Sequence, residues 1–221
     1  MQFKVDYMNQ SNESLDALKD IKSLMERSSR FISLSGLAGV FSGVFALIGA
    51  AAAYWRVNLA PWAVRDTDTR FGTGRIVDID IDVATFLGID ALLVLLASIL
   101  VSYYFTKRKA SRKQQPLWGT YSKRMLLNLS IPLVTGGLFC VLLFSHGLIG
   151  LIAPTTLIFY GLALINAGRF SLEEISYLGL SEIILGLMSF MMLGFGLIFW
   201  AVGFGLLHIV YGILMYYRHD R

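Results

Sequence analysis

Charged residues are scarce in this chain, and long stretches of it have none at all. Asp, Glu, Lys and Arg make up 15% of the 221 residues, whereas about a quarter of a typical soluble globular domain is charged. Apolar residues account for 56% of the chain, and its mean hydropathy is +0.63. This composition predicts an integral membrane protein that has the lipid bilayer as its first partner.

Paired cysteines and a cleavable signal peptide are also lacking. The one cysteine, Cys140, lies within an apolar run, so no disulfide can form within the chain. Residues 1–30 carry ten charges and no apolar core of a signal peptide, and the first apolar run is too long for one. We therefore expect this run to remain in the membrane as an anchor.

Motifs of common catalytic and metal sites are lacking as well. The chain has no glycine-rich phosphate loop, nucleophile elbow or metalloprotease helix. Asp78, Asp80 and Asp82 are spaced like the start of a calcium loop, but Val83 and Ile89 stand where that loop needs glycine and glutamate. We expect no catalytic set, cofactor or metal. Segment 76–83 is predicted to be a solvated, strand-like edge, with a loose cation site as the alternative.

What the sequence does contain is a series of long apolar runs. A helix needs about 20 apolar residues to cross the hydrocarbon core, and continuous runs favour helices over barrel strands, which alternate. The last run, 175–217, is about twice the length of one span, so Leu193-Gly194-Phe195-Gly196 is predicted to be a tight turn. One long bent helix is the alternative. The chain is thus predicted to be an all-α, polytopic bundle of six transmembrane helices, with spans at about 31–55, 83–105, 125–144, 148–167, 175–193 and 197–217.

The distribution of Lys and Arg predicts the orientation of this bundle. Fifteen of these residues lie on the side of the two termini and four on the other side, and basic loops stay in the cytoplasm. The prediction is N-in and C-in, with an external loop at 56–82, a basic cytoplasmic loop at 106–124 and a cytoplasmic tail at 218–221. Because topology explains the basic loop, no nucleic-acid partner is expected.

The N-terminal segment has the pattern of a short amphipathic helix. Leu15, Leu18, Ile21 and Leu24 fall on one face of residues 11–30 at helical spacing, with charges of both signs opposite. Such a helix can lie in the membrane interface, pack on a partner or lead into the first span. All three roles remain open at this point.

Two sequence features concern the packing of the spans. Ser35, Gly39 and Gly43 form a small-xxx-small pattern that allows close helix contact, either within one chain or in a homodimer; a partner membrane protein is a further alternative. Pro132 and Pro154 lie within the third and fourth spans and are predicted to kink them.

Ionisable residues within spans are costly and indicate functional sites. Glu182 and His208 each lie 13 residues from Phe195, so two antiparallel helices bring them to one depth. We predict a buried pair that either locks the hairpin or serves as a site for proton relay, ligand binding or metal binding. Further polar residues could join it at the cytoplasmic side or stand apart. Asn128 and Asn166 are candidates for joining the pair at the cytoplasmic side, and Asp90 and Arg169 are secondary candidates. Arg169 is expected either to reach the membrane interface or to meet Glu173 or Glu174.

Two stretches of the chain resemble a known group of proteins. The first runs from residue 160 to residue 212; it begins with Tyr160-Gly-Leu-Ala-Leu-Ile-Asn-Ala and ends with Gly203-Phe-Gly-Leu-Leu-His-Ile-Val-Tyr-Gly212. The second is Met25-Glu-Arg-Ser-Ser-Arg-Phe-Ile-Ser-Leu-Ser-Gly36. Together they are similar to small bacterial membrane proteins of the Bacteroidetes kind whose function is unassigned. The resemblance covers about half the chain and implies a bacterial inner-membrane setting, without an activity.

Three kinds of function are compatible with these features. The first is a bundle that acts through binding, as an accessory or regulatory subunit or as a binder of a small solute or lipid. The second is a proton-coupled carrier or channel that uses Glu182 and His208. The third, an intramembrane enzyme, is disfavoured because no catalytic constellation is evident. A carrier predicts a water-filled cavity at Glu182, a binder a closed core, and an enzyme a third polar group converging on the pair.

Overall fold

Six long helices dominate the structure, a computed structural model that describes residues 35–59, 64–67, 76–79, 81–112 and 118–220, together with Leu18 and Ile21. Five of the helices are regular: α1 Gly36–Leu59, α2 Ile81–Arg112, α3 Thr120–Ser145, α4 Ile152–Gly168 and α5 Glu173–Met191. The predicted amphipathic helix at 11–30 lies outside the described residues, apart from Leu18 and Ile21, which are helical and exposed.

The sixth helix, α6, changes its hydrogen-bonding pattern along its length. It is α-helical over Gly196–Trp200, π-helical over Ala201–Leu207, α-helical again over His208–Met215 and π-helical over Tyr216–Asp220. All six helices are long and apolar enough to cross a membrane. The prediction of an all-α, multi-pass bundle with six spans is therefore confirmed.

The turn that separates the last two spans lies where the sequence predicts it. Helix α5 ends at Met191 and α6 begins at Gly196. Between them Gly194 has a φ of 105°, in a region that residues with a side chain rarely adopt. This glycine allows the chain to reverse its direction between α5 and α6. The observed turn excludes the alternative of one long bent helix.

The loop between α1 and α2 is only partly as predicted. Strand β1, Val64–Thr67, pairs antiparallel with β2, Ile76–Ile79, in a register that sets Val64 opposite Ile79. The extended segment predicted for 76–83 is correct for its first half and wrong for its second, since α2 begins at Ile81. Asp82 lies in the first turn of α2, where a negative charge favours helix formation.

The two membrane prolines lie in different environments. Pro132 is inside α3. Pro154, however, is the third residue of α4, and amides of the first helical turn have no intrahelical partner to lose. The prediction that Pro154 kinks its helix is therefore wrong, because the helix begins later than the apolar run does.

Helix α6 lies at the centre of the bundle, against α1 on one side and α4 and α5 on the other. Helix α2 packs mainly on α1, and α3 mainly on α4, so both lie at the periphery with many exposed apolar side chains. A buried apolar cluster fills the junction of α4, α5 and α6. Its residues are Leu164, Leu172, Ile175, Leu178 and Met215.

The small residues of α1 are used within the chain. A Cβ atom on Gly39 would lie 3.2 Å from the Gly212 Cα atom of α6, and one on Gly43 would lie 2.6 Å from the Gly205 carbonyl oxygen. The backbones of α1 and α6 are thus in direct contact along this face. A homodimer stays a prediction, but these glycines are already accounted for by packing inside one molecule.

Candidate functional site

Three polar side chains from three helices meet near the middle of the membrane spans. Glu182 is the central residue of α5, about 14 Å from either end at 1.5 Å per residue. Tyr160 and His208 lie close to the midpoints of the spans Ile149–Gly168 and Gly196–His219. The depth predicted for Glu182 and His208 by counting from the turn is therefore shared by a third residue.

His208 stands at the centre of this group and contacts both other members. Its Nδ1 atom is 3.5 Å from Glu182 Oε1, and its Nε2 atom is 2.7 Å from the Tyr160 hydroxyl oxygen. Nδ1 also lies 3.1 Å from the Gly203 carbonyl oxygen. Glu182 has no exposed surface, and His208 is 7% exposed. The structure thus brings Glu182 and His208 together in a closed core. We call the group formed by Glu182, His208 and Tyr160 the Glu182 centre.

These contacts determine which imidazole nitrogen carries the proton. A carbonyl oxygen can only accept, so Nδ1 donates its N–H to Gly203. In the neutral ring Nε2 then accepts from the Tyr160 hydroxyl. A second proton on Nε2 would reverse that bond, because a hydroxyl oxygen can also accept. The imidazole is therefore paired on the Tyr160 side in either charge state.

Glu182 is the member of the centre that lacks hydrogen bonds. Neither carboxylate oxygen has a hydrogen-bond partner among the described residues, and 3.5 Å to His208 Nδ1 exceeds the usual N–H···O range of 2.7–3.2 Å. An unpaired carboxylate away from water is costly, especially at mid-membrane depth. Binding of a proton or another cation would remove this cost.

The local structure of α6 creates the space for this carboxylate. The π-helical segment Ala201–Leu207 ends directly before His208, and π-helical turns are rare and often mark functional sites. Within the segment, Gly203 has no Cβ atom; an added one would contact Glu182 Oε2 and Leu157 Cδ2. Gly203 therefore contributes both its carbonyl group and the room that Glu182 occupies.

Aromatic rings from α4 and α6 pack against the His208 imidazole. The Phe204 ring stacks on His208 with a centroid distance of 6.0 Å, and it lies 4.9 Å from the Tyr160 ring. Offset and tilted ring contacts of this kind add to burial. They fix the orientation of the His208 ring, which in turn fixes the directions in which Nδ1 and Nε2 make their contacts.

Two of the other predicted site residues lie on α3 and α4 apart from the centre. Asn128 donates its amide to the Arg124 carbonyl oxygen of its own helix at 2.8 Å. Asn166 is half-buried in α4, six residues beyond Tyr160 and thus about 9 Å further along the helix. Within the described part of the chain, neither residue has a hydrogen bond to Glu182 or His208.

The secondary candidates lie elsewhere in the bundle. Asp90 of α2 faces α1, where a Cβ atom on Gly49 would be 3.2 Å from Asp90 Oδ2. Arg169 is exposed at the C-terminal end of α4. The carboxylate of Glu174 pairs instead with two residues at the end of α6: Arg218 Nη1 at 3.0 Å and His219 Nε2 at 3.1 Å.

Sequence reasoning missed two residues of this region. Tyr160 was not singled out as polar because tyrosine is common in apolar runs, yet it lies at the depth of the other two. Ser189 is fully buried with its hydroxyl unpaired, and it follows Glu182 by seven residues. That heptad spacing, which puts both on one face of α5, was the available signal.

The described residues offer no set of three or more His, Cys, Asp and Glu side chains that could hold a metal ion. His146 lies beside the turn that follows α3, where its Nδ1 atom contacts the Leu142 carbonyl oxygen. It is thus at a helix end, away from His208. The arrangement at the Glu182 centre suits a proton better than a transition metal, which needs more ligands.

Comparison with protein-family models, curated proteins and solved structures finds no significant match. The resemblance to small bacterial membrane proteins stays a prediction. What the Glu182 centre can do therefore has to be derived from its own residues and their geometry.

Proposed function

We propose that the protein is a membrane-embedded binding bundle, an accessory or regulatory subunit, whose core ligand is a proton held at the Glu182 centre. The observation that carries this proposal is the fully buried, unpaired Glu182 carboxylate at mid-span, 3.5 Å from His208 Nδ1. A proton is the smallest ligand that can neutralise it, and no cavity is needed to hold a proton.

Protonation would act on the packing of three helices. The other titratable groups of the centre are His208 from α6, which lies against Glu182, and Tyr160 from α4, which contacts His208. When Glu182 is neutral, α4, α5 and α6 pack without a buried charge. When it ionises, the Nδ1–H group of His208 is the nearest donor, and the attraction acts on α6 beside its π-helical segment. Such segments often mark functional sites, and in this proposal a change in the segment is what a partner would recognise.

A closed core supports binding over catalysis. Tyr160 supplies the third polar group that an intramembrane enzyme predicts. A substrate, however, would need some surface of Glu182 to approach, and this side chain has none. The setting we propose is a bacterial inner membrane with both termini in the cytoplasm, which the excess of Lys and Arg on the side of the termini supports.

Infrared difference spectroscopy during a pH titration tests this proposal. In the purified protein in lipid, the carboxyl C=O band of a buried acid should appear on acidification and be absent in Glu182→Gln. Glu174→Gln is the matched control, since it removes a carboxyl group of the same helix that is already paired with Arg218 and His219, and the band should remain. A wild-type spectrum without a band that depends on Glu182 would overturn the proposal.

A proton-coupled carrier or channel is a second candidate, which the π-helical segment beside His208 favours because π-helical turns often mark functional sites. In vesicles containing an internal pH dye, a carrier would move protons when a membrane potential is applied, and Glu182→Gln would stop this movement. Vesicles that show the Glu182 band but no proton movement would assign binding without transport.

A further inference from the structure

The unpaired polar side-chain atoms in the buried part of the described structure all belong to one helix. They are both carboxylate oxygens of Glu182 and the hydroxyl oxygen of Ser189. Each of these two side chains is completely buried. In a helix a serine can donate to a carbonyl oxygen of the preceding turn, as the less buried Ser181 does to Tyr177 at 3.0 Å. Ser189 has no such bond and keeps its hydrogen-bonding capacity.

The two residues share one face of α5. A separation of seven residues corresponds to two helical turns and a rise of about 10 Å. Ser189 therefore lies between Glu182 and the end of α5 at Met191, beneath the turn around Gly194. Gly186 lies between them on the same face, and a Cβ atom there would be 3.0 Å from the Pro154 carbonyl oxygen of α4. The polar face of α5 thus follows the contact between α4 and α5.

We propose that Ser189 is the relay through which the Glu182 centre exchanges its proton with the membrane face that holds the α5–α6 turn. The inference rests on the proposed function, since it assumes that Glu182 binds a proton. The proton leaves a Glu182 carboxyl oxygen, passes along water molecules that bridge the two residues, and reaches Ser189 Oγ. The serine hydroxyl accepts it and releases its own proton toward the turn, so that the side chain is unchanged after each passage.

The opposite direction along α5 is less suited to this path. On that side Ser181 is occupied by Tyr177 and lies 3.3 Å from the Tyr211 hydroxyl. Farther along, Glu174 is held by Arg218 and His219. These groups have partners already, whereas Ser189 is a buried polar group with both functions available. A buried polar group of this kind usually binds water when its site opens.

The test is the rate at which the Glu182 carboxyl band shifts after transfer from H₂O to D₂O. In Ser189→Ala we expect this exchange to slow by at least about tenfold, with the midpoint of the pH titration unchanged. Ser181→Ala is the matched control, because it removes a hydroxyl from another face of α5, and its exchange rate should equal that of the wild type.

Several outcomes would overturn the relay. Exchange in Ser189→Ala at the wild-type rate with an unchanged titration midpoint would give Ser189 no role in proton exchange. The same rate with a shifted midpoint would give Ser189 a purely electrostatic effect. Either result would leave the proton site itself intact. Absence of the Glu182 band in the wild type would instead remove the proposed function.

Cysteine labelling provides a second measurement that does not depend on Ser189→Ala folding well. In a Cys140→Ser background, Ser189→Cys should react with a small water-soluble thiol reagent at least about tenfold faster than Ala163→Cys. Ala163 of α4 is equally buried, at 0% exposure, but lies on a different helix from Glu182 and Ser189. Equal rates at the two positions would contradict a path that water can enter at Ser189.

Discussion

At the scale of single residues, Glu182 is where stability and function are most clearly opposed. Its carboxylate is buried without a hydrogen-bond partner, so it costs free energy that an apolar side chain of similar length would not. A buried charge without a partner is costly, and even replacing a buried ion pair with apolar residues of similar volume is often neutral or stabilising by about 1–4 kcal/mol. The residue is therefore better explained by a role in proton binding than by a role in locking the α5–α6 hairpin.

We predict that Glu182→Met raises the free energy of unfolding by about 1–4 kcal/mol, measured by denaturant titration in lipid–detergent micelles. The reason is that methionine fills the space beside Gly203 and Leu157 without an unpaired charge. Leu157→Met, at a fully buried apolar position nearby, is the control and should change stability little. A strongly destabilised Glu182→Met protein would show that the carboxylate holds the hairpin together.

Tyr160 should behave in the opposite way. Tyr160→Phe removes the hydroxyl that pairs with His208 Nε2 at 2.7 Å and leaves a buried ring nitrogen unpaired. We expect the free energy of unfolding to fall by about 1–3 kcal/mol. Tyr211→Phe loses a longer contact of 3.3 Å to Ser181 and should cost clearly less. Equal losses of stability in the two variants would contradict a larger contribution of the Tyr160–His208 hydrogen bond than of the Tyr211–Ser181 contact.

At the scale of elements, α6 shows best what sequence can and cannot predict. The turn at Gly194 and the common depth of Glu182 and His208 follow from run lengths and counting, because helical rise is constant. The rotation of the helices is not fixed by counting, so Tyr160 could not be assigned to the centre. The π-helical segment Ala201–Leu207 was also unforeseen, since its hydrogen-bond register depends on packing against α1 and α5.

Gly203 links this π-helical segment to the carboxylate. In Gly203→Ala the added methyl group would meet Glu182 Oε2 and Leu157, and overpacking of this kind typically costs about 1–3 kcal/mol. Adding Glu182→Ala should recover part of that loss, because it removes one of the two side chains that the methyl group meets. A double-mutant cycle measures the coupling. Strictly additive effects of the two substitutions would contradict the contact between Gly203 and Glu182.

At the scale of the whole molecule, the glycines of α1 and the peripheral position of α2 and α3 illustrate a further limit of the sequence. The small residues Gly39 and Gly43 indicated close helix contact but not its partner, which is α6 of the same chain. The apolar faces of α2 and α3 are exposed in one molecule, as lipid-facing helices are. The number of spans follows from the sequence, whereas their neighbours depend on three-dimensional packing.

The orientation of the bundle is a prediction that cysteine labelling can check. In a Cys140→Ser background, we expect Gln114→Cys to react with an impermeant thiol reagent only after cell lysis, because its loop is rich in Lys and Arg. Thr73→Cys, in the loop between α1 and α2, should react in intact cells. The reverse pattern would place the termini outside.

The most direct test of the Glu182 centre is nitrogen NMR spectroscopy of the imidazoles. The chain has three histidines, His146, His208 and His219, so ¹⁵N-labelled side chains can be assigned one by one. We predict that His208 carries its proton on Nδ1 with a hydrogen bond at Nε2. Its signals should move in both Glu182→Gln and Tyr160→Phe, while those of His146 stay unchanged. His208 signals that are the same in the wild type and both variants would contradict a centre in which the three side chains act together.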